Sequence, residues 1–182
     1  MKDDVVLTDG TISLRYFRKS DAEELHKAIR ESLAELAPWL EFAHDDYSIK
    51  ETRKWLQTHP KNRKKGIEHN FVIYDAKDGG FLGGCGLNRI DTVNKLANLG
   101  YWVRTSCTSR GVATAATLLL ARWGLKELKL NRIEIGVAID NKPSQRVAEK
   151  VGAQREGVLR KRLVVRDKTH DVIMYSLIPG DV

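Results

Sequence analysis

The polar and apolar positions of this chain change period along its length, and each change marks an element. Val5-Val6-Leu7 and Thr11-Ile12-Ser13-Leu14 flank Asp9-Gly10, the signature of a hairpin. Ser20-Asp21-Ala22-Glu23 reads as a capping box that opens a helix through about Leu36. Ser48-Ile49-Lys50-Glu51 is a second capping box, and Pro60 is expected to close its helix. Phe71 to Tyr74 and Phe81 to Ile90 read as strands around Asp78-Gly79-Gly80, and Leu96 to Val103 as the next strand. A helical run, Thr117-Leu118-Leu119-Leu120-Ala121-Arg122-Trp123, leads to a β-branched strand, Asn131 to Ile139. Behind it Asn141 suits an N-cap, Pro143 a first helical turn and Gly152 a helix stop. Arg155 to Val165 and Asp171 to Ile178 form a closing antiparallel pair around Arg166-Asp167-Lys168-Thr169. Strands outnumber the roughly four helices, so the pattern predicts an α/β (α+β) fold: a mixed, mainly antiparallel sheet covered by helices.

One junction carries more than architecture. Thr108-Ser109-Arg110-Gly111-Val112-Ala113-Thr114-Ala115-Ala116 joins the apolar strand Leu99 to Val103 to the following helix through small residues. The first N–H groups of a helix lack partners inside it and carry partial positive charge, so they favour an anion. Gly111 admits close approach, Ala113 and Ala115 keep the way clear, and Arg110 adds a formal charge. This is a phosphate or pyrophosphate site, or else an ordinary strand–helix junction with a glycine at its cap. A P-loop is excluded because Val112 and Ala113 follow Gly111 where Lys and Ser or Thr are required. A dinucleotide fingerprint is excluded because the loop has a single Gly.

The chain has 182 residues, 42% hydrophobic and 30% charged, which suits a single domain over residues 1–182. No apolar run approaches the roughly 20 residues that span a bilayer. Met1-Lys2-Asp3-Asp4-Val5 has acids where a signal peptide has a basic head. Cys85 and Cys107 match neither a zinc nor a redox spacing, so no metal is expected and the reducing cytoplasm is the expected compartment. Residues 1–99 carry 16 basic and 16 acidic side chains, whereas residues 100–182 carry 15 and 8, so the whole +7 lies in the half with the anion loop. An anionic cofactor, RNA or an acidic protein would be drawn there. For Arg160-Lys161-Arg162 alone a solvated basic face is sufficient.

Taken in order, these segments resemble the GNAT (GCN5-related N-acetyltransferase) superfamily, in its RimJ/RimL branch of ribosomal-protein N-acetyltransferases. The resemblance rests on the anion loop, Gly100-Tyr101-Trp102, Asn131-Arg132-Ile133-Glu134, Asn141 with Ser144, and Glu149-Lys150-Val151-Gly152. It continues through Arg155-Glu156-Gly157-Val158-Leu159-Arg160 and Asp171 before Tyr175-Ser176-Leu177, with Leu14-Arg15 and Trp39-Leu40 also in place. It implies a GNAT-like domain whose central strands, Leu96–Val103 and Asn131–Ile139, splay apart. It implies acetyl-CoA as cosubstrate, with pantetheine pairing to Val103 and its neighbours and the pyrophosphate cradled by amides from Ser109 to Thr114. The family usually opens this loop with Gln or Arg, and this chain has Thr108.

The same resemblance implies the chemistry. A neutral amine attacks the thioester carbonyl, an N–H near Val103 stabilises the oxygen, and Ser144 lies close to the departing sulfur. Asn141 would bind the cofactor's amide. Asn141 as a plain N-cap and Ser144 as a plain first-turn residue are the structural alternatives. Many relatives place Glu where this chain has Asn98, which cannot accept a proton at neutral pH. Glu156, Glu68 and His69 are the other candidate bases, or water is the base, or the amine arrives neutral. An α-amine has a pKa near 8 against ~10.4 for Lys, which favours N-terminal acceptors. The acceptor pocket is expected around Ala37 to Phe42, with Trp39 and Glu41 as contacts. The expected acceptor is a protein N-terminus, a ribosomal protein first, or a small amine, polyamine or antibiotic. A non-catalytic acyl-CoA sensor and an RNA-associated protein are the readings from other classes, although no RNA-binding signature appears and direct nucleic-acid binding is not expected. The resemblance also implies a homo-oligomer, dimer or higher.

Overall fold

The computed structural model describes residues 5–182, so the acidic opening at residues 1–4 lies outside it. Eight strands form one sheet: β1 (Val6–Thr8), β2 (Ile12–Tyr16), β3 (His69–Asp75), β4 (Phe81–Asp91), β5 (Leu96–Val103), β6 (Arg132–Ala138), β7 (Gln154–Val165) and β8 (Lys168–Leu177). Their spatial order is β1-β2-β3-β4-β5-β6-β8-β7. Every neighbouring pair is antiparallel except β5 and β6. Five helices accompany them: α1 (Ala22–Glu31), α2 (Leu33–Leu36), α3 (Ile49–Lys64), α4 (Val112–Lys126) and α5 (Lys142–Lys150).

Strand alternation splits the apolar residues between two faces. Phe71, Ile73, Leu87, Leu99, Ile133 and Ile135 pack with Val112, Ala116 and Leu120 of α4 and Ala148 of α5. Val72, which points the other way between Phe71 and Ile73, packs with Leu25 and Ile29 of α1 and Leu56 of α3. The helices thus cover both faces and leave the chain's central strands to carry the site.

Several boundaries differ from the pattern-based reading, and each difference has a physical cause. The first capping box, Ser20 with Glu23, does not form: Ser20 lies inside a 3-10 turn, Lys19–Asp21, whose Asp21 carboxylate receives the Arg18 N–H at 2.7 Å, and Glu23 accepts from Arg53 at 2.7 Å. The helix expected through Leu36 breaks at Ser32, whose fully buried hydroxyl accepts the Thr105 N–H at 3.0 Å. That break raises the helix count from about four to five. Pro60 does not end α3, which runs on to Lys64. The lost bond to Leu56 is offset by packing: Leu56 is buried and Trp55 stacks on His59 at 5.4 Å. The closing hairpin turns tightly at Arg166 and Asp167, so β8 begins at Lys168 rather than Asp171, and Val165 pairs with Lys168.

Candidate active site

The parallel ladder between β5 and β6 is three rungs long: Leu96 with Arg132, Ala97 with Ile133, and Asn98 with Glu134. Beyond Asn98 the strands part, while β5 stays paired to β4 as far as Gly83 with Val103. Arg104 donates its N–H to Leu82 of β4 at 2.8 Å. N–H directions alternate along a strand, so the Val103 N–H points the opposite way, into the splay. A backbone donor there has no strand to meet, which suits an amide-bearing ligand laid in as an extra strand.

At the end of β5 the chain turns through Thr105–Cys107 into the small-residue loop. Ser109 has φ 61° and Gly111 φ 79°, so two left-handed residues flank Arg110 and curl the backbone into a concavity. Gly111 caps α4 with no side-chain hydrogen bond. Among the described residues, the amides of Val112, Ala113 and Thr114 donate to no carbonyl or side chain, and the helical bonding starts with Ala115 to Gly111 at 3.0 Å. Thr108 turns its hydroxyl back to the Thr105 carbonyl at 2.9 Å, away from the loop mouth. Arg110 is exposed and stands 3.8 Å from Asp75.

The first turn of α5 closes over the same strand. The Asn141 side-chain oxygen Oδ1 accepts the Ser144 N–H at 3.1 Å, so Asn141 is the N-cap. Ser144 Oγ lies 2.9 Å from the Tyr101 hydroxyl, which also reaches the Ser144 carbonyl at 3.1 Å. Tyr101 sits two residues before Val103, so this bond brings Ser144 to the open edge of β5. Burial pushes the Tyr101 phenol up to about 12, so it remains a protonated donor throughout the working range.

These features fit an acyl-CoA: free amides for the pyrophosphate, a splay for the pantetheine amides, and a hydroxyl beside the strand end. The match to known proteins agrees. Residues 11–154 match the model described as the Acetyltransferase (GNAT) domain. The Bacillus subtilis (strain 168) protein YdaF is 33% identical over 92% of this chain and 91% of its own length. The Escherichia coli (strain K12) ribosomal-protein-serine acetyltransferase is 26% identical over 96% of this chain and 97% of its own. The solved structure of Mycobacterium smegmatis RimJ in complex with CoA-disulfide superposes with a TM-score of 0.87 at 25% identity, over 97% of this chain and 87% of that one. The chain belongs to the GNAT acetyltransferase family.

As a GNAT enzyme it is an N-acetyltransferase that takes its acyl group from acetyl-CoA. Among the described residues no group of His, Cys, Asp and Glu is placed to hold a metal, and no helix is long and apolar enough to cross a membrane.

The carboxylates and histidine considered as bases are occupied elsewhere. Glu156 receives both terminal nitrogens of Arg132, at 2.6 and 2.5 Å, and the Ser176 hydroxyl at 2.7 Å. The Arg132 guanidinium, then Ser176, hold its carboxyl down to about 2. At neutral pH Glu156 is therefore held as an ion-pair partner of Arg132, which makes it a weak proton acceptor. His69 is buried with Nδ1 on the Tyr16 hydroxyl at 2.9 Å, and burial followed by Arg63 and His59 lowers it to about 4. Glu68 accepts from Asn62 at 3.0 Å and stands 3.6 Å from His59. Glu156→Gln is accordingly expected to retain the alkaline limb of kcat/KM against pH. The loss should appear in acid stability. A carboxylate lowered to about 2 stabilises the fold fully above the ordinary carboxylate range and fades as pH falls towards 2. Thermal melts between pH 2 and 7 should show that dependence weakened in the variant.

Of the residues expected at the acceptor, Trp39 is half-buried with its ring 5.7 Å from that of His170. Exposed Glu41 accepts the Arg166 N–H at 2.8 Å, and the Arg166 side chain donates to the Ala43 carbonyl. The loop between α2 and α3 is thereby fastened to the β7–β8 turn, so both assigned residues have structural partners as well as a place beside the sheet. A second brace escaped the sequence reading. Arg104 pairs with Glu31 at 2.6 Å, and Thr105 bonds to Ser32 and Glu35, tying α1 and α2 to the turn before the anion loop. These pairs lie about 70 residues apart in sequence, and no local spacing signals them. Tyr101 escaped too, since it served only as part of the Gly-Tyr-Trp signature.

Proposed function

We propose that this enzyme acetylates the N-terminal α-amine of a protein, a ribosomal protein first, in the cytoplasm. The carrying observation lies at the foot of the splay. Asn98 occupies the last rung and donates its Nδ2 to Asn88 Oδ1 at 3.0 Å. The carboxylates at that level, Glu134 and Glu156, are both engaged with Arg132. With an amide at this position and both acids paired, the acceptor amine must arrive uncharged. At pH 7 an α-amine, with a pKa near 8, meets that condition far more often than lysine at ~10.4. The likeness to a ribosomal-protein-serine acetyltransferase along 96% of the chain supports the same acceptor class.

In this reading the amides of Ser109, Arg110, Gly111, Val112, Ala113 and Thr114 cradle the pyrophosphate, with Arg110 adding charge from the rim. Thr108 contributes backbone only. Val103 and its neighbours pair with the pantetheine amides, and Asn141 sets the start of α5 beside them. Acetyl-CoA supplies an activated acyl group. The Val103 N–H meets the negative charge that gathers on the acyl oxygen, and one such donor lowers a barrier by about 3 kcal/mol. Ser144 gives a hydrogen bond to the leaving sulfur. Trp39 and Glu41 border the entry of the acceptor. A homo-oligomer suits the same family resemblance.

Competition between two peptides tests the acceptor. One has a free N-terminus and acetylated lysines, and the other a blocked N-terminus and free lysines. Mass spectrometry after incubation with acetyl-CoA should find the first modified and the second untouched. Modification of the second alone would overturn the α-amine assignment. Transfer to neither, with small amines or antibiotics accepted instead, would replace the protein acceptor.

A further inference from the structure

We infer that Tyr101 is the positioning residue for Ser144, turning the serine's own hydrogen towards the leaving sulfur. The inference rests on the reading that Ser144 serves that sulfur. Tyr101 has one hydrogen and two acceptors on the same residue, Ser144 O at 3.1 Å and Ser144 Oγ at 2.9 Å. When the phenol donates to the carbonyl, the Ser144 hydroxyl donates into the phenol oxygen, and its hydrogen is turned away from the splay. When the phenol donates to Oγ, the Ser144 hydrogen is released and can reach an acceptor outside the pair. Only the two hydroxyl hydrogens, of Tyr101 and of Ser144, rotate between the two states, because both acceptors are already within reach.

Negative charge on the sulfur favours the second state. In the transfer the N–C bond forms and the C–S bond breaks; the amine loses one proton and the sulfur gains one, so no further reactant is required. Donation from Tyr101 also makes the Ser144 hydroxyl a stronger donor, since hydrogen bonds in a chain polarise one another. The phenol itself stays protonated, as burial keeps its proton bound up to about pH 12. No other position brings a second hydroxyl onto Ser144 among the described contacts. A rigid β5 supplies Tyr101 and the capped first turn of α5 supplies Ser144, so the geometry is fixed by two elements rather than a loop.

A double-mutant cycle tests this with the acceptor the enzyme uses fastest. Tyr101→Phe should lower kcat roughly five- to tenfold, the worth of one neutral hydrogen bond, and leave acetyl-CoA affinity within about twofold. In a Ser144→Ala background the same change should lower kcat less than about twofold, because the hydroxyl it orients is gone. Equal losses in both backgrounds would overturn the inference, as would an unchanged kcat in Tyr101→Phe when chemistry limits the rate. Wild-type kcat in Ser144→Ala would instead overturn the underlying role of Ser144, so the two failures are distinct. Should Tyr101→Phe fail to fold, a fluorinated tyrosine at position 101 keeps both contacts and donates more strongly. The thiol pKa of enzyme-bound CoA, read by thiolate absorbance, should then fall below its wild-type value; an unmoved pKa would overturn the inference.

Discussion

Gly111→Val should weaken acetyl-CoA binding by about a hundredfold or more and leave the chain folded. Gly111 adopts φ 79° at the N-cap of α4, and a Cβ built there meets nothing within 4 Å. The folded protein therefore suffers no clash, only the conformational cost of a branched residue in the left-handed region, about 1–2 kcal/mol. The ligand suffers more. On the proposed reading the pyrophosphate approaches the amides of Val112, Ala113 and Thr114 beside Gly111, where a branched side chain would stand in its way. Charge-assisted hydrogen bonds are worth about 1.5–3 kcal/mol each, so displacing the pyrophosphate from two of them gives the stated loss. Titration calorimetry with acetyl-CoA and a thermal melt separate the two effects. Wild-type affinity in a folded variant would remove the pyrophosphate from this loop.

How far such a site can be read from sequence depends on the range of the contacts that build it. The glycine-capped helix start at Ser109 to Thr114 was legible because its signals are local: a glycine, small residues and an apolar helical run, all close in sequence. The Asn141 cap was legible for the same reason. The splay was not visible in periodicity, since it depends on where β5 and β6 stop pairing, which neither strand's own pattern records; it entered only through resemblance to a family. The pairing of Ser144 with Tyr101 joins residues 43 apart, and that of Arg104 with Glu31 joins residues 73 apart. Glu156 shows the converse. A glutamate near a family motif reads as a base, but its protonation is set by Arg132 from another strand, 24 residues away. Pro60 fails similarly, because the stacking of Trp55 on His59 is a tertiary compensation that a local breaker rule does not contain.

Ser144→Ala should lower kcat by about a hundredfold, at the lower end of what a positioned proton donor contributes, with acetyl-CoA affinity within about twofold. The variant is well suited to the question because the surrounding bonds survive it. Asn141 still accepts the backbone N–H of residue 144, so the cap of α5 is kept. Tyr101 still finds the carbonyl of residue 144, so its buried hydroxyl is not orphaned. Only Oγ is removed, and with it the proposed donor to the leaving sulfur. A structural first-turn serine would cost little on conversion to Ala, since Ala is the better helix former. Stability therefore stays near wild type under both roles and kcat alone separates them: a deep loss for the catalytic serine, and no change for the structural one. Pre-steady-state measurements that show no burst of thiol release establish that chemistry limits the rate. Under that condition a Ser144→Ala enzyme with wild-type kcat would leave the sulfur to be protonated by water alone.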